Sequence, residues 1–302
     1  MALKEKNINN KVAVIVGPTG SGKSDLAVCL AKKFNGEIIS ADSRQAYKGM
    51  NIGTGKITKK EMRGIPHHLL DVVSPKTRFT VTQYVKKAEK AIGKIHKAGK
   101  LPIICGGTGF YIQALIDGIS IPEVKPDWTL RKKLEKQTAK ELFQQLKKLD
   151  SERAKNIDRH NKRRLIRAIE IVLKTGKAVP PMEKRAKYNV LMLGIKIDQA
   201  RLNEKIENRL LKRLNQGMIE EVKRLSQSGL SWKRLEEFGL EYRHIARYLQ
   251  NKMTYEEMAE KLQKEIERYA KRQMTWFKKD KRIVWIDNKK TAETLVKKFL
   301  NK

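Results

Sequence analysis

Gly17-Pro18-Thr19-Gly20-Ser21-Gly22-Lys23-Ser24 decides how this chain folds. The apolar run Val12-Ala13-Val14-Ile15-Val16 leads into it, and Asp25-Leu26-Ala27-Val28-Cys29-Leu30-Ala31, with helical spacing, leads out. Strand, glycine-rich turn and helix start together form a loop whose N–H groups converge on one anion, with the positive end of the helix dipole behind them. Lys23 then reaches a terminal phosphate, and Ser24 offers its hydroxyl to Mg²⁺. The segment predicts binding of a diphosphate or triphosphate.

Working outward, short apolar runs alternate with amphipathic stretches. Gly36–Ala41 reads as a second strand, His68–Val73 as a third and Leu101–Cys105 as a fourth, with a helix over Val81–Ala98. Strands separated by helices imply a parallel sheet that binds ligands at its C-terminal edge. Pro122 and Pro126 break the pattern, and everything from about Trp128 to Thr175 reads as helical and strongly basic, a block that ends at Pro180-Pro181. Leu191–Ile197 returns to strand. Helices over Gln199–Gln216, Met218–Ser228, Tyr242–Leu249 and Tyr255–Lys279 precede a short strand, Ile283–Ile286. The expected fold class is α/β, a P-loop NTPase-like parallel sheet with helices on both faces and an inserted all-α domain. Residues 1–122 and 191–302 form the core in this reading, and 123–190 the insert.

Composition narrows the partner. Of 302 residues, 67 are Lys or Arg and 33 Asp or Glu, a formal charge of +34 that favours a polyanion such as nucleic acid. No apolar run approaches the roughly 20 residues of a membrane span. Lys4, Glu5, Lys6 and Asn7 interrupt any signal-peptide core. The two cysteines, Cys29 and Cys105, sit in apolar stretches and build neither a disulfide framework nor a zinc site. A reduced, cytoplasmic, monomeric protein is expected.

Several residues stand where chemistry is done. Asp42 ends the second strand in Asp42-Ser43-Arg44-Gln45, where an acid holds Mg²⁺, acts as a general base, or caps a turn. The fourth strand ends in Gly106-Gly107-Thr108-Gly109, where an ordinary nucleotide hydrolase carries a metal-binding Asp. The glycines suggest close backbone approach to a ligand, and Thr108 either donates to a phosphate or caps the next helix. With no residue evident to activate water, the loop reads as holding a leaving group. Arg163, Arg164 and Arg167 form a basic patch on an amphipathic helix, with phosphate contact and a plain solvated face as the two readings. Tyr242 either stacks on a base or packs, and Arg243 follows it. Near the C-terminus, Arg268–Phe277 interleaves basic and aromatic residues. His67-His68 reads as structural or substrate-lining.

Taken in order, these segments resemble the bacterial tRNA dimethylallyltransferases. The resemblance runs through Gly17–Ser24, Asp42–Gln45, Tyr47–Met50, Ile52–Lys56, His67–Asp71, Gly106–Tyr111, Arg164–Glu170 and Ala270–Trp276. It departs at Glu241-Tyr242-Arg243, where many relatives have Gly-Tyr-Arg, and the zinc finger of eukaryotic relatives is absent. The family transfers a dimethylallyl group from dimethylallyl diphosphate to N6 of adenosine 37 in tRNA. The resemblance implies that Asp42 takes the N6 proton and that Thr108 bonds near the breaking C–O bond. Gly17, Pro18, Thr19, Gly20, Ser21, Gly22, Lys23 and Ser24, with Mg²⁺, hold the diphosphate, aided by Arg209 and Arg243. Asp42, Ser43, Arg44, Gln45, Thr108, Arg131, Arg163, Arg164, Arg167, Tyr242 and Arg243 meet tRNA, with the insert on the anticodon stem. A small-molecule kinase is the alternative; it needs an arginine-bearing lid and gives no reason for the charge. A GTPase-like switch needs an Asn-Lys-x-Asp motif, which is missing.

Overall fold

In the computed structural model, which describes residues 10–120, 122, 124–180 and 185–301, six parallel strands form one sheet in the order β3-β2-β4-β1-β5-β6. The elements run β1 (Lys11–Val16), α1 (Lys23–Lys33), β2 (Gly36–Ser40), α2 (Lys59–Met62), β3 (His67–His68), α3 (Val81–Lys97), β4 (Leu101–Gly106) and α4 (Gly109–Ile116). Then come α5 (Trp128–Leu134), α6 (Ala139–Leu149), α7 (Ser151–Lys155), α8 (Lys162–Thr175), β5 (Asn189–Ile195), α9 (Gln199–Asn215) and α10 (Met218–Gln227). The chain closes with α11 (Trp232–Phe238), α12 (Leu240–Leu249), α13 (Tyr255–Phe277), β6 (Ile283–Ile286) and α14 (Lys289–Asn301).

Successive strand residues point to opposite faces, and the buried side chains sort that way. Val12, Val14, Val16, Ile39 and Ile104 pack with Tyr84, Ile92 and Ile95 of α3 and Ile112 and Leu115 of α4. Ala13, Ile15, Ile38, Ile103 and Cys105 pack on the other face with Ala27, Leu30 and Ala31 of α1 and Ala292, Val296 and Leu300 of α14. Coverage of both faces explains why β1 is buried along its whole length. A third cluster joins α9–α13 around Tyr47, Met50, Leu235, Phe238 and Tyr242.

The chain divides into two compact units, Met1–Gly118 with Ala186–Lys302, and Ile119–Arg185. The smaller unit is helical, with its own core of Leu134, Leu142, Leu146, Leu165 and Ile169.

The structure corrects four sequence expectations. The third strand covers only His67–His68, because Leu69 (φ 67°) and Asp71 (φ 55°) turn the chain into the left-handed region. Residues 71–73 bond instead to the turn beyond β2, through Asp71 N to Gln45 O and Val72 N to Ala46 O. The basic block is not helical throughout but is broken into four helices, started by the caps Asp127, Thr138, Asp150 and Asn161. Helices α11 and α14 were not anticipated, and β5 begins at Asn189, two residues earlier than the pattern suggests. Residues 4–7, Glu123 and Pro181, used above for the leader and insert boundaries, lie outside the described residues.

Candidate functional site

Strand order builds the site. β4 lies between β2 and β1, so the turns leaving these three strands are neighbours at the C-terminal edge. They are Gly17–Ser24 after β1, Asp42–Gln45 after β2 and Gly107–Gly109 after β4.

Gly20 (φ 81°) and Gly22 (φ 86°) take backbone conformations that a side chain would strain, and this curls the phosphate loop. Gly22 is the N-cap of α1, and no side chain caps the helix. Its first amides are therefore free for an anion. Ser21 Oγ is buried and has no hydrogen-bond partner among the described residues. Lys23 Nζ donates to Pro18 O at 3.1 Å. Burial pulls its pKa below the ordinary lysine value, with Arg209 adding to the effect and Cys105 and Asp42 opposing it. The Cys105 thiol is pushed up to about 11 by burial, stays protonated at neutral pH and donates to Lys23 O at 3.6 Å.

Asp42 Oδ1 accepts the backbone N–H groups of Arg44 (2.8 Å) and Gln45 (3.3 Å). This is the capping alternative, but it occupies one oxygen; Oδ2 takes no protein hydrogen bond among the described residues. Thr108 Oγ1 accepts from Ser43 N at 3.1 Å, and Thr108 N donates to Ala41 O at 3.1 Å, which locks the β2 and β4 turns together. Thr108 is the N-cap residue of α4, yet its side chain does not cap it. Gly106 meets Ala41 so closely that an added Cβ would fall 2.2 Å from Ala41 O. The charge of Asp42 acts on Lys23, Arg209 and Tyr269, which places all four in one electrostatic neighbourhood.

Arg209, from α9, donates to Thr19 Oγ1 (3.2 Å) in the glycine-rich loop and to Gly55 O (3.3 Å). Gln45 Nε2 reaches the same Gly55 carbonyl at 3.3 Å. Arg44 stacks over Phe238 at 5.5 Å. His67, whose Nδ1 meets Ile65 O at 2.8 Å, lines a groove of about 580 Å³ with Lys56, Ile57 and Leu70. Burial lowers its pKa, so the ring is neutral at pH 7.

Four expected contacts are placed differently. Tyr242 is 1% exposed and donates to Glu221 Oε1 at 2.8 Å, so it packs and presents no face to a base. Arg243 is spent on Glu265 Oε1 (3.2 Å) and Glu236 O (3.4 Å). In the smaller unit, Arg131 binds Glu170 through both carboxylate oxygens (2.8 and 2.6 Å), and Arg167 adds a bond to Glu170 and one to Pro122 O. Glu170 is completely buried, and with Arg167 three residues earlier on α8 the pairing was readable from spacing. Arg163 and Arg164 are exposed and form no ion pair among the described residues.

Sequence reasoning also missed Gln273. This buried side chain of α13 accepts from Thr19 N (2.8 Å) and donates to Gly107 O (2.9 Å), joining the phosphate loop to the β4 turn. Its partners lie 254 and 166 residues away, so only the motif around it pointed there.

A glycine-rich loop beside an acid and a hydroxyl, at the C-terminal edge of a six-stranded parallel sheet, places the chain among P-loop-like α/β proteins. Residues 45–280 match the model of the IPP transferase family, and the chain belongs to that family. It is 41% identical over 97% of both chains to the tRNA dimethylallyltransferase of Carboxydothermus hydrogenoformans. It is 40% identical to that of Anoxybacillus flavithermus, over 97% of this chain and 95% of the relative. The tRNA isopentenylpyrophosphate transferase structure from Bacillus halodurans superposes with a TM-score of 0.75 at 35% identity, covering 97% of each chain. A eukaryotic dimethylallyltransferase captured acting on tRNA gives 0.78 at 30% identity, over 92% of this chain and 74% of that one.

Proposed function

We propose that this chain transfers a dimethylallyl group from dimethylallyl diphosphate to N6 of adenosine 37 in tRNA, releasing pyrophosphate, as a cytoplasmic monomer. One observation carries the reading: the turn after β4 brings Thr108, in place of a metal-binding acid, between the phosphate loop and Asp42. Such a site suits a departing diphosphate better than hydrolysis by an activated water.

The adenine amine is a weak nucleophile because its lone pair is delocalised into the ring. Positioning, proton removal and leaving-group stabilisation therefore share the work. The N6–C1 bond forms as the C1–O bond breaks; the electron pair leaves on pyrophosphate, and the N6 proton passes to Asp42. Asp42 is prepared for this by its pinned Oδ1, which fixes the carboxylate plane and leaves Oδ2 open. Lys23, Arg209 and the uncapped amides of α1 would meet the charge that builds on the diphosphate.

For Mg²⁺ the donor set fits. Ser24 is exposed at the start of α1, the Cys105 thiol beside it is protonated, and no cluster of three His, Cys, Asp or Glu competes for a metal among the described residues. Ser24 and the diphosphate oxygens would hold the ion, matching the preference of Mg²⁺ for phosphate and water ligands, and it would neutralise charge on pyrophosphate. For RNA, the support is the charge of +34 and the exposed pair Arg163 and Arg164, with the target base leaving its stack to reach the site.

Incubation with labelled dimethylallyl diphosphate, Mg²⁺ and bulk tRNA, without ATP, tests the proposal. Label should appear in adenosine in step with released pyrophosphate. Robust tRNA-stimulated ATP hydrolysis without label in RNA would instead favour the kinase-like alternative.

A further inference from the structure

Glu221 of α10 is a buried carboxylate, 3% exposed, that none of the chemistry above uses. Four donors converge on it. Oε2 accepts the backbone N–H groups of Asn51 (2.8 Å) and Ile52 (2.7 Å). Oε1 accepts that of Gly53 (2.9 Å) and the Tyr242 hydroxyl (2.8 Å). The carbonyls of the same stretch are held from α9, where Arg213 donates to Ile52 O at 2.7 Å and to Gly53 O, and is itself paired with Glu241 at 3.0 Å. Gly53 lies against the Tyr242 ring, so that an added Cβ would stand 2.5 Å from Cζ. The departure from the family pattern at Glu241 thus has a local use, because it neutralises the arginine that grips this loop.

The loop leads to the site within two residues. Gly55 N bonds to Ile52 O at 2.9 Å, so Gly55 moves with the clamped segment. Its carbonyl accepts from both Arg209 and Gln45, and Arg209 continues to Thr19 of the phosphate loop.

We propose that Glu221 is a positioning residue for the transfer reaction: by gathering the amides of residues 51–53 it sets the Gly55 carbonyl that aims Arg209 at the donor diphosphate and Gln45 at the reacting base. A carboxylate is required because only it offers acceptor oxygens to all four donors; an amide in its place turns an NH2 group toward N–H groups. The inference rests on the reading that Arg209 faces the diphosphate.

The test uses the full chain with Glu221→Gln, Gly53→Ala and Arg209→Ala, scored by label transfer per folded molecule, tRNA binding and amide exchange. Glu221→Gln should lower kcat/KM for the donor about 10- to 100-fold, since small misplacements of positioning groups cost that much. Amides 51–53 should exchange at least about tenfold faster. tRNA affinity, dominated by backbone phosphate contacts, should stay within about threefold. Gly53→Ala keeps the Glu221 carboxylate but pushes the loop off Tyr242 and strains the Gly53 amide bond to Glu221, and it should give the same kinetic signature, even if the first variant folds poorly. Faster exchange or a lower melting temperature with unchanged donor kinetics in both loop variants would overturn the proposal. If Arg209→Ala also leaves donor kinetics intact, the reading of the site fails with it; if Arg209→Ala is impaired while both loop variants are normal, only the role of Glu221 fails.

Discussion

Replacing Gln273 by Met removes a link between two parts of the site while keeping side-chain length. The native amide supplies one bond to Thr19 N at 2.8 Å and one to Gly107 O at 2.9 Å. Gly107 O lies in buried surroundings and loses its side-chain partner outright, whereas half-buried Thr19 N recruits water. An unsatisfied buried group costs about 1–3 kcal/mol, so the variant should lose about that much unfolding free energy in urea titration. Loosening Thr19 also releases the phosphate loop, and kcat/KM for the donor should drop by roughly 10- to 100-fold. Gln273→Glu sharpens the test: a carboxylate still accepts from Thr19 N but sets a charged oxygen against Gly107 O in buried surroundings, so it should lose at least as much stability as Met. A loss of stability below about 0.5 kcal/mol with unchanged donor kinetics would refute the reasoning, because a surface residue behaves that way.

The other predictions concern the RNA surface and the buried charges. Arg163→Ala with Arg164→Ala should flatten the dependence of tRNA affinity on log salt by about one to two units, and an unchanged slope would return both arginines to a plain solvated face. Tyr242→Phe should leave tRNA affinity as it is and cost about 1–3 kcal/mol in urea unfolding through the lost bond to Glu221; weakened RNA binding with full stability would contradict the packed role. Burial alone would raise the pKa of Glu170, but Arg131, the Asp127 amide and Arg167 outweigh it and hold it below the usual 4.5. A depressed carboxyl stabilises the fold above its unfolded value, so protection against amide exchange, relative to the intrinsic rate at each pH, should fall in helices α5–α8 as pH drops below about 4.5. Glu170→Gln should remove that acid limb and destabilise this unit by about 3–5 kcal/mol at pH 7.

The parts of the fold that could be read from sequence were those encoded locally. The phosphate loop was legible because glycine spacing, a preceding apolar run and a following helical pattern agree. The ends of β2 and β4 were legible once parallel order was inferred, since ligands gather at that edge. Illegible features depend on distant partners. Glu221 and Gln273 look like ordinary polar residues of charged helices, and only the folded chain shows that each collects backbone groups more than 160 residues away. Tyr242 misled through its basic neighbours, although Phe238, four residues earlier, packs at 5.8 Å and marks a buried face. The third strand was overextended because apolar composition over 68–73 carries no sign of the positive φ at Leu69 and Asp71.

Single-turnover transfer by Asp42→Asn, with saturating donor and tRNA, tests the central claim most directly. The amide keeps the size of the side chain and, through its oxygen, the bonds from Arg44 and Gln45, but it cannot take a proton. The account predicts a fall in the transfer rate of roughly 10²–10⁴ with tRNA affinity unchanged. Transfer at near wild-type rate, or a loss of tRNA binding that matches the loss of rate, would show that Asp42 only caps its turn and would contradict the mechanism.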